Sequence, residues 1–209
     1  MDIQFYGANC ISISYKATRL VIDDNLDSLG AKSISKTGDV LLNTTKASRR
    51  LSIEPKIVID CPGEYEVADI SILGIPARSH VDQEGIFNTT MYKITAGEIT
   101  CLITGHIYPR LSEEQLENVN MVDVLILPVG GHGFTLDPEG ALTVIKELEP
   151  KLVIPTHFAD EKLHFPVPQL ELDAIVKDLG MEPQTTVGKL HLKPSDFDDV
   201  TRLAVLTKS

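Results

Sequence analysis

Histidines stand in four loops that directly follow strand-like segments, where active and binding sites usually lie. His80 in RSHVD has Asp82 two residues later, and the others are His106 in TGH, His132 in GGHG and His157 in PTHF. Imidazole nitrogens and carboxylate oxygens bind zinc, manganese or iron in hydrolases, where a bound water becomes the nucleophile. The candidate metal ligands are therefore His80, Asp82, His106 and His157. The alternative is that loop residues of these types come together by chance and that His157 is simply hydrogen-bonded at the end of its strand.

Other side chains could act without a metal. Glu64 in PGEYEV and His157 are candidate general bases. Asp23 and Asp24 in VIDD follow a strand, and we expect them to close a loop through their own hydrogen bonds. Cys61 stands among apolar neighbours with no histidine nearby in sequence, which predicts an inert buried thiol.

Composition excludes several classes of function. The chain has 209 residues, 43% of them hydrophobic, with a formal net charge of −11. This charge argues against binding to nucleic acid or to an anionic membrane. Three cysteines without a CxxC pair indicate reduced thiols, and no segment resembles a signal peptide or a membrane-spanning helix. We expect one cytoplasmic domain covering residues 1–209.

The pattern of apolar residues divides the chain into a strand-rich half and an alternating half. Strands are predicted at 3–6, 10–15, 19–24, 39–44, 56–61, 69–77, 89–95, 98–105, 122–131, 151–158, 189–193 and 202–208. Helices are predicted from Ser112, which can form a capping box with Gln115, from Asp137, and over 168–180. Many strands with helices in the second half predict a mixed α/β fold of two packed sheets flanked by helices.

Several segments together resemble the metallo-β-lactamase superfamily, in particular its short branch of ascorbate-6-phosphate lactonase-like proteins. The matching segments are FYGANCISI, LVIDD, CPGEYEV, NTTMYKI, LSEEQL, VDVLILPVGG and PKLVIPTHF. They follow the order of the family over nearly the whole chain. The resemblance implies a four-layer αββα sandwich of α+β class, with its active site at one edge between the two sheets.

The same resemblance places most of the family's metal ligands on residues that cannot bind zinc in the usual way. The His-x-His-x-Asp-His motif of the family falls on Thr45, Ala47, Arg49 and Arg50. Two later ligand positions fall on Ile103 and His106, and only the last ligand, His157, keeps its type. Six of seven positions therefore differ. The resemblance predicts a degenerate metal site in a retained fold.

The paired arginines suggest what could replace the metal. Guanidinium groups bind carboxylates and phosphates through two parallel hydrogen bonds, and they could restore the positive charge that lost cations remove. The alternative is that Arg49 and Arg50 are exposed or pair with nearby carboxylates. The expected ligand-binding residues are Thr45, Arg49, Arg50, His106 and His157.

Two functions follow from these residues. The first is a non-catalytic protein that has no cofactor and binds a small anion. The second is a metal-dependent hydrolase of lactones or phosphoesters that uses a rearranged site of histidine and aspartate with zinc, manganese or iron. A homo-oligomer is expected because family members often assemble. Neither nucleic acid nor a membrane is expected as a partner.

Overall fold

The strands of this protein are short, and their bounds follow the predicted apolar segments closely. A computed structural model describes residues 1–46 and 52–209. Its strands are β1 Asp2–Gly7, β2 Cys10–Tyr15, β3 Thr18–Ile22, β4 Val40–Leu42, β5 Ile57–Ile59, β6 Gly63–Val67, β7 Ile70–Ala77, β8 Thr89–Ala96, β9 Ile99–Ile103, β10 Val124–Pro128, β11 Leu152–Thr156, β12 Pro183–Val187, β13 Lys189–His191 and β14 Arg202–Leu206. The sequence analysis did not predict the edge strands β6 and β12. Their side chains are mostly exposed or half-buried, so their sequences lack an apolar segment.

The first two helices begin where their capping residues predict, whereas the third begins four residues later than predicted and has no side-chain cap. The helices are α1 Glu113–Val119, α2 Pro138–Leu148 and α3 Leu172–Leu179. Ser112 and Gln115 form the expected reciprocal capping box at the start of α1. The Asp137 side chain accepts from the backbone of Gly140 and begins α2, and Gly180 ends α3 in a left-handed conformation.

The described strands form two sheets. The first has six strands in the order β13-β1-β2-β3-β4-β5, and the second has eight in the order β12-β14-β11-β10-β9-β8-β7-β6. In the second sheet, β9, β10, β11 and β14 are parallel neighbours. The carboxyl ends of parallel strands meet at one edge of a sheet, so the loops after β9, β10 and β11 approach each other there.

Two apolar layers hold the fold together. One lies between the sheets and includes Ile11 and Leu20 of the first sheet and Ile94 and Ile126 of the second. The other packs α2 and α3 against the outer face of the second sheet. The predicted mixed fold of two packed sheets is confirmed. Among residues 1–46 and 52–209, no α-helix packs on the outer face of the first sheet.

A smaller apolar cluster covers part of that outer face. Because Ile11 points into the core, its neighbour Cys10 points outward. Cys10 packs there against Leu26 and Leu29 of a short 3-10 helix and against Leu163. The sheet is therefore shielded at one end, while the face beyond Cys10 carries an open cavity.

The cysteine predictions were right for two residues and wrong for the third. Cys10 and Cys101 are buried free thiols, whereas Cys61 is exposed. Cys61 lies at the turn into the edge strand β6, where its Sγ is 3.1 Å from the Tyr65 hydroxyl. The apolar segment before it misled the prediction, because that segment belongs to an edge strand with partly exposed side chains. In the described part of the chain, no helix is long and apolar enough to cross a membrane.

Candidate functional site

A cavity of about 340 Å³ lies at the sheet edge where the expected site should be. Val21, Leu41 and Val58 form its apolar wall on the outer face of the first sheet. Asn9, from the β1–β2 turn, lines it together with His106 and His157. The cavity therefore begins at the expected edge and continues onto the outer face of the six-stranded sheet. Its volume suits a small organic molecule.

Two neighbouring aspartates in the cavity wall hold loops, as the sequence predicted. Asp23 Oδ1 accepts from the backbone N–H of Thr44 and Oδ2 from the Thr44 hydroxyl, both at 2.7 Å. Burial raises the pKa of Asp23 to about 6, and the two bonds from Thr44 offset only part of this effect. Asp24 instead accepts from the backbone of Ile34 and Ser35. Burial alone would raise the pKa of Asp24, but its hydrogen bonds outweigh burial and lower it.

His106 uses both ring nitrogens inside the protein. Its Nδ1 is 3.2 Å from the carbonyl oxygen of Phe134, which only accepts, so Nδ1 carries the hydrogen. Its Nε2 then accepts from the Asn9 side-chain amide at 2.8 Å. Asn9 Oδ1 accepts in turn from the Thr156 hydroxyl. Burial, followed by repulsion from His157, lowers the pKa of His106 to about 4, so the ring is neutral at pH 7.

His157 is fixed through its backbone and one ring nitrogen. Its backbone has a left-handed φ of 58°, and its N–H donates to the carbonyl of Ala8 at 2.8 Å. Its side chain is buried beside the rings of His106 and Phe165, with centroids at 4.7 and 5.0 Å. Nδ1 is 3.1 Å from Gln169 Oε1. Burial lowers the pKa of His157, so this ring is also neutral.

The structure gathers some of the predicted site residues and separates others. Thr45, His106 and His157 line the cavity together. Arg49 and Arg50 lie outside the described residues, so their predicted contact with an anion stays a prediction. The sequence analysis also offered a simple hydrogen bond at the end of a strand as the role of His157. The ring and the backbone of His157 both form hydrogen bonds there.

The remaining predicted residues lie away from the cavity lining. His80 contacts the site through its backbone N–H, which donates to the carbonyl of His106. The Asp82 carboxylate closes its own loop by accepting from the backbone of Ser79 and the side chain of Asn88. Glu64 is exposed on the edge strand β6, and His132 is exposed in the loop after β10.

These donors do not fit a metal ion. A zinc site takes three or four nitrogen, sulfur or carboxylate ligands. No group of three or more His, Cys, Asp or Glu in the described residues could hold a metal. The segment 47–51 reads Ala-Ser-Arg-Arg-Leu and adds none of these four types. His106 has no lone pair left for a metal, and both oxygens of Asp23 are engaged by Thr44.

Sequence reasoning missed the residues that fix the two imidazoles. Asn9, Phe134 and Gln169 come from three loops that are distant in sequence, and Phe134 contributes only a carbonyl. The one available signal was the Gly130-Gly131 pair after β10. A Cβ on Gly130 would lie 1.9 Å from Gln169 Oε1 and 2.3 Å from the carbonyl oxygen of His157. Position 130 therefore requires glycine, because Gln169 and the backbone of His157 leave no space for a Cβ atom.

Comparison with known proteins places this fold and sequence in one family. Residues 2–157 match the model of the beta-lactamase superfamily domain. A UPF0173 metal-dependent hydrolase of Thermococcus onnurineus is 30% identical over 100 residues, 46% of this chain and 44% of that protein. A UPF0173 metal-dependent hydrolase of Pelotomaculum thermopropionicum is 44% identical over 45 residues, covering 22% of this chain and 19% of the relative. The matched regions thus span less than half the length of these relatives.

Solved structures share the fold over a larger part of the chain. A candidate Zn-dependent hydrolase of the metallo-β-lactamase superfamily from Thermotoga maritima has a TM-score of 0.75 and 23% identity, covering 99% of this chain and 98% of that one. Igni18, a metallo hydrolase from Ignicoccus hospitalis, has a TM-score of 0.60 and 18% identity, covering 92% and 99%. At these identities the likeness shows the fold alone. With the family model matching three quarters of its residues, the chain belongs to the beta-lactamase superfamily and has the metallo-β-lactamase fold.

Proposed function

We propose that this chain is a non-catalytic member of its superfamily that binds a small anionic molecule in the cavity without a metal. One observation carries the proposal: three cavity-lining side chains are hydrogen-bonded within the protein, and no three candidate metal ligands among the described residues come together. His106 is engaged on both nitrogens, Asp23 is engaged by Thr44, and His157 is engaged at Nδ1. Such pairing suits a rigid binding pocket, because His106 and Asp23 already use their polar atoms within the protein and are not free to hold a metal ion that would activate a water.

The position of one lysine supports an anion at the rim, and the same lining carries three carboxylates, Asp23, Asp24 and Asp27. Lys46 is the one lysine or arginine among the described residues that line the cavity. It directly precedes the segment that contains Arg49 and Arg50. Of the lining carboxylates, Asp23 and Asp24 already accept hydrogen bonds from Thr44 and from the loop at Ser35. This engagement reduces the repulsion that they exert on an anion.

Metal content of the purified protein is the first test. We expect zinc, iron and manganese well below one equivalent in protein purified without chelators. We also expect no rise in melting temperature on adding zinc, since a ligand stabilises only the folded state that binds it. His157→Ala serves as the control. Stoichiometric metal that disappears in this variant would contradict the proposal and favour the metal-dependent hydrolase.

Anion binding is tested by replacing the lysine at the rim. Inorganic phosphate should raise the melting temperature more than sodium chloride of equal ionic strength. Lys46→Gln should weaken phosphate binding about tenfold, the effect of one charge-assisted hydrogen bond. Lys177→Gln is the matched control, because Lys177 is exposed on α3 outside the cavity lining. Equal phosphate affinity in both variants would remove the assigned role of Lys46.

A cytoplasmic location and assembly into homo-oligomers remain predictions that accompany this proposal. The free buried thiols Cys10 and Cys101 are compatible with a reducing compartment.

A further inference from the structure

The orientation of the Gln169 amide determines which nitrogen of His157 carries the hydrogen. Gln169 Nε2 donates to the carbonyl of Val167 at 2.9 Å, so Oε1 is the atom that faces His157. A carbonyl oxygen only accepts, and His157 Nδ1 must therefore donate to it. The ring is buried, and neither nitrogen contacts a carboxylate among the described residues; both facts favour the neutral form, in which Nε2 holds a lone pair.

That lone pair distinguishes His157 from His106. The Nε2 of His106 already accepts from Asn9. The Nε2 of His157 has no hydrogen-bond partner among the described residues, although the residue is only 4% exposed and lines the cavity. Nε2 is not among the fully buried unpartnered polar atoms of the described residues, so it is accessible from the cavity and can accept a hydrogen bond from a molecule bound there.

We infer that the molecule bound in this cavity donates a hydrogen bond from a hydroxyl or N–H group to His157 Nε2, and that Gln169 is the positioning residue that keeps this nitrogen an acceptor. The inference deepens the proposed function by naming the ligand chemistry at the inner end of the same cavity. The ligand class is a small molecule with an apolar body against Val21 and Leu41 and a hydrogen-bond donor at its inner end.

The tautomer of His157 is the first measurement. In protein labelled with ¹⁵N-histidine at pH 7, His157 should show a protonated Nδ1 and an unprotonated Nε2. Gln169→Leu removes the acceptor and should give a mixture of tautomers. Gln169→Glu keeps an acceptor for Nδ1 and should restore the single tautomer, which a merely structural role of Gln169 would not produce. Gln184→Leu, on the exposed face of β12, is the control.

Two pairs of probes, matched in size, test the donor requirement. Phenol and fluorobenzene are uncharged, and 4-hydroxybenzoate and 4-fluorobenzoate carry the same negative charge; within each pair only the first donates a hydrogen bond. We expect the donor of each pair to bind about five- to tenfold more tightly, as one neutral hydrogen bond would give. Only the donor should shift the Nε2 resonance of His157.

The outcomes separate this inference from the proposed function. An Nε2-protonated His157 in the free protein, or equal binding within both pairs, overturns the inference and leaves a metal-free binding pocket standing. Preference for phenol over fluorobenzene, without any gain for the benzoates, supports the inference and overturns the anion in the proposed function. If none of the four probes shifts the His157 resonance at millimolar concentration, the inference is overturned.

Discussion

Gly130→Ala is expected to destabilise the fold by about 3 kcal/mol, since an added methyl group would overlap two groups that cannot both retreat. Its Cβ would lie 1.9 Å from Gln169 Oε1 and 2.3 Å from the carbonyl oxygen of His157. The glutamine could swing away, but the carbonyl belongs to the backbone after β11. Thermal unfolding should show a melting temperature lower by roughly 6 to 12 °C.

Two further variants make the expectation for Gly130 specific. In Gly188→Ala the nearest atom to the new Cβ is Thr207 Oγ1 at 3.5 Å, an ordinary contact, so stability should hardly change. Adding Gln169→Ala to Gly130→Ala removes the shorter overlap but leaves the one with His157. The double variant should regain only part of the lost stability. A melting temperature of Gly130→Ala close to that of Gly188→Ala would contradict the geometry of this loop.

Acid should change stability in opposite directions through Asp23 and His106. The pKa of Asp23 rises from 3.8 to about 6 on folding, so the folded state binds more protons and gains stability as pH falls from 6 to 4. The pKa of His106 falls from 6.5 to about 4, so the unfolded state binds more protons and stability is lost over nearly the same range. Each full shift corresponds to about 3 kcal/mol, which partial exposure reduces to about 2 kcal/mol.

Single variants should separate the two contributions. In Asp23→Asn the gain is absent, so its free energy of unfolding should fall more steeply than that of the wild type between pH 6 and 4. In His106→Gln the loss is absent, so the decline should be shallower than in the wild type. Urea unfolding at pH 7, 6, 5 and 4 measures both slopes. Parallel pH profiles for the wild type and either variant would show that the substituted residue does not titrate in this way.

The elements of this protein could be predicted because short-range chemistry fixes them. Ser112 with Gln115, and Asp137 before Pro138, set the starts of two helices through contacts three residues apart. Buried parallel strands such as β10 are continuous apolar segments. The edge strand β12 alternates between exposed and half-buried side chains and offers no comparable signal.

The site was predictable only in part, because its chemistry depends on contacts between distant segments. The types of His106 and His157, and their places after buried strands, were visible in the sequence. Their protonation depends on Asn9 and Gln169, which are 97 and 12 residues away from the imidazoles they contact. No local pattern encodes such a pairing. The cavity wall on the outer face of the first sheet likewise depends on which segments cover that face.

The chain of bonds from Phe134 through His106 and Asn9 to Thr156 joins the first turn of the protein to loops of the second sheet. These hydrogen bonds are already formed without a ligand, so the protein loses little conformational freedom when a ligand binds. A scaffold of this kind keeps its shape whichever molecule it accepts. New specificity can then arise from changes at the rim alone, where Lys46 lies.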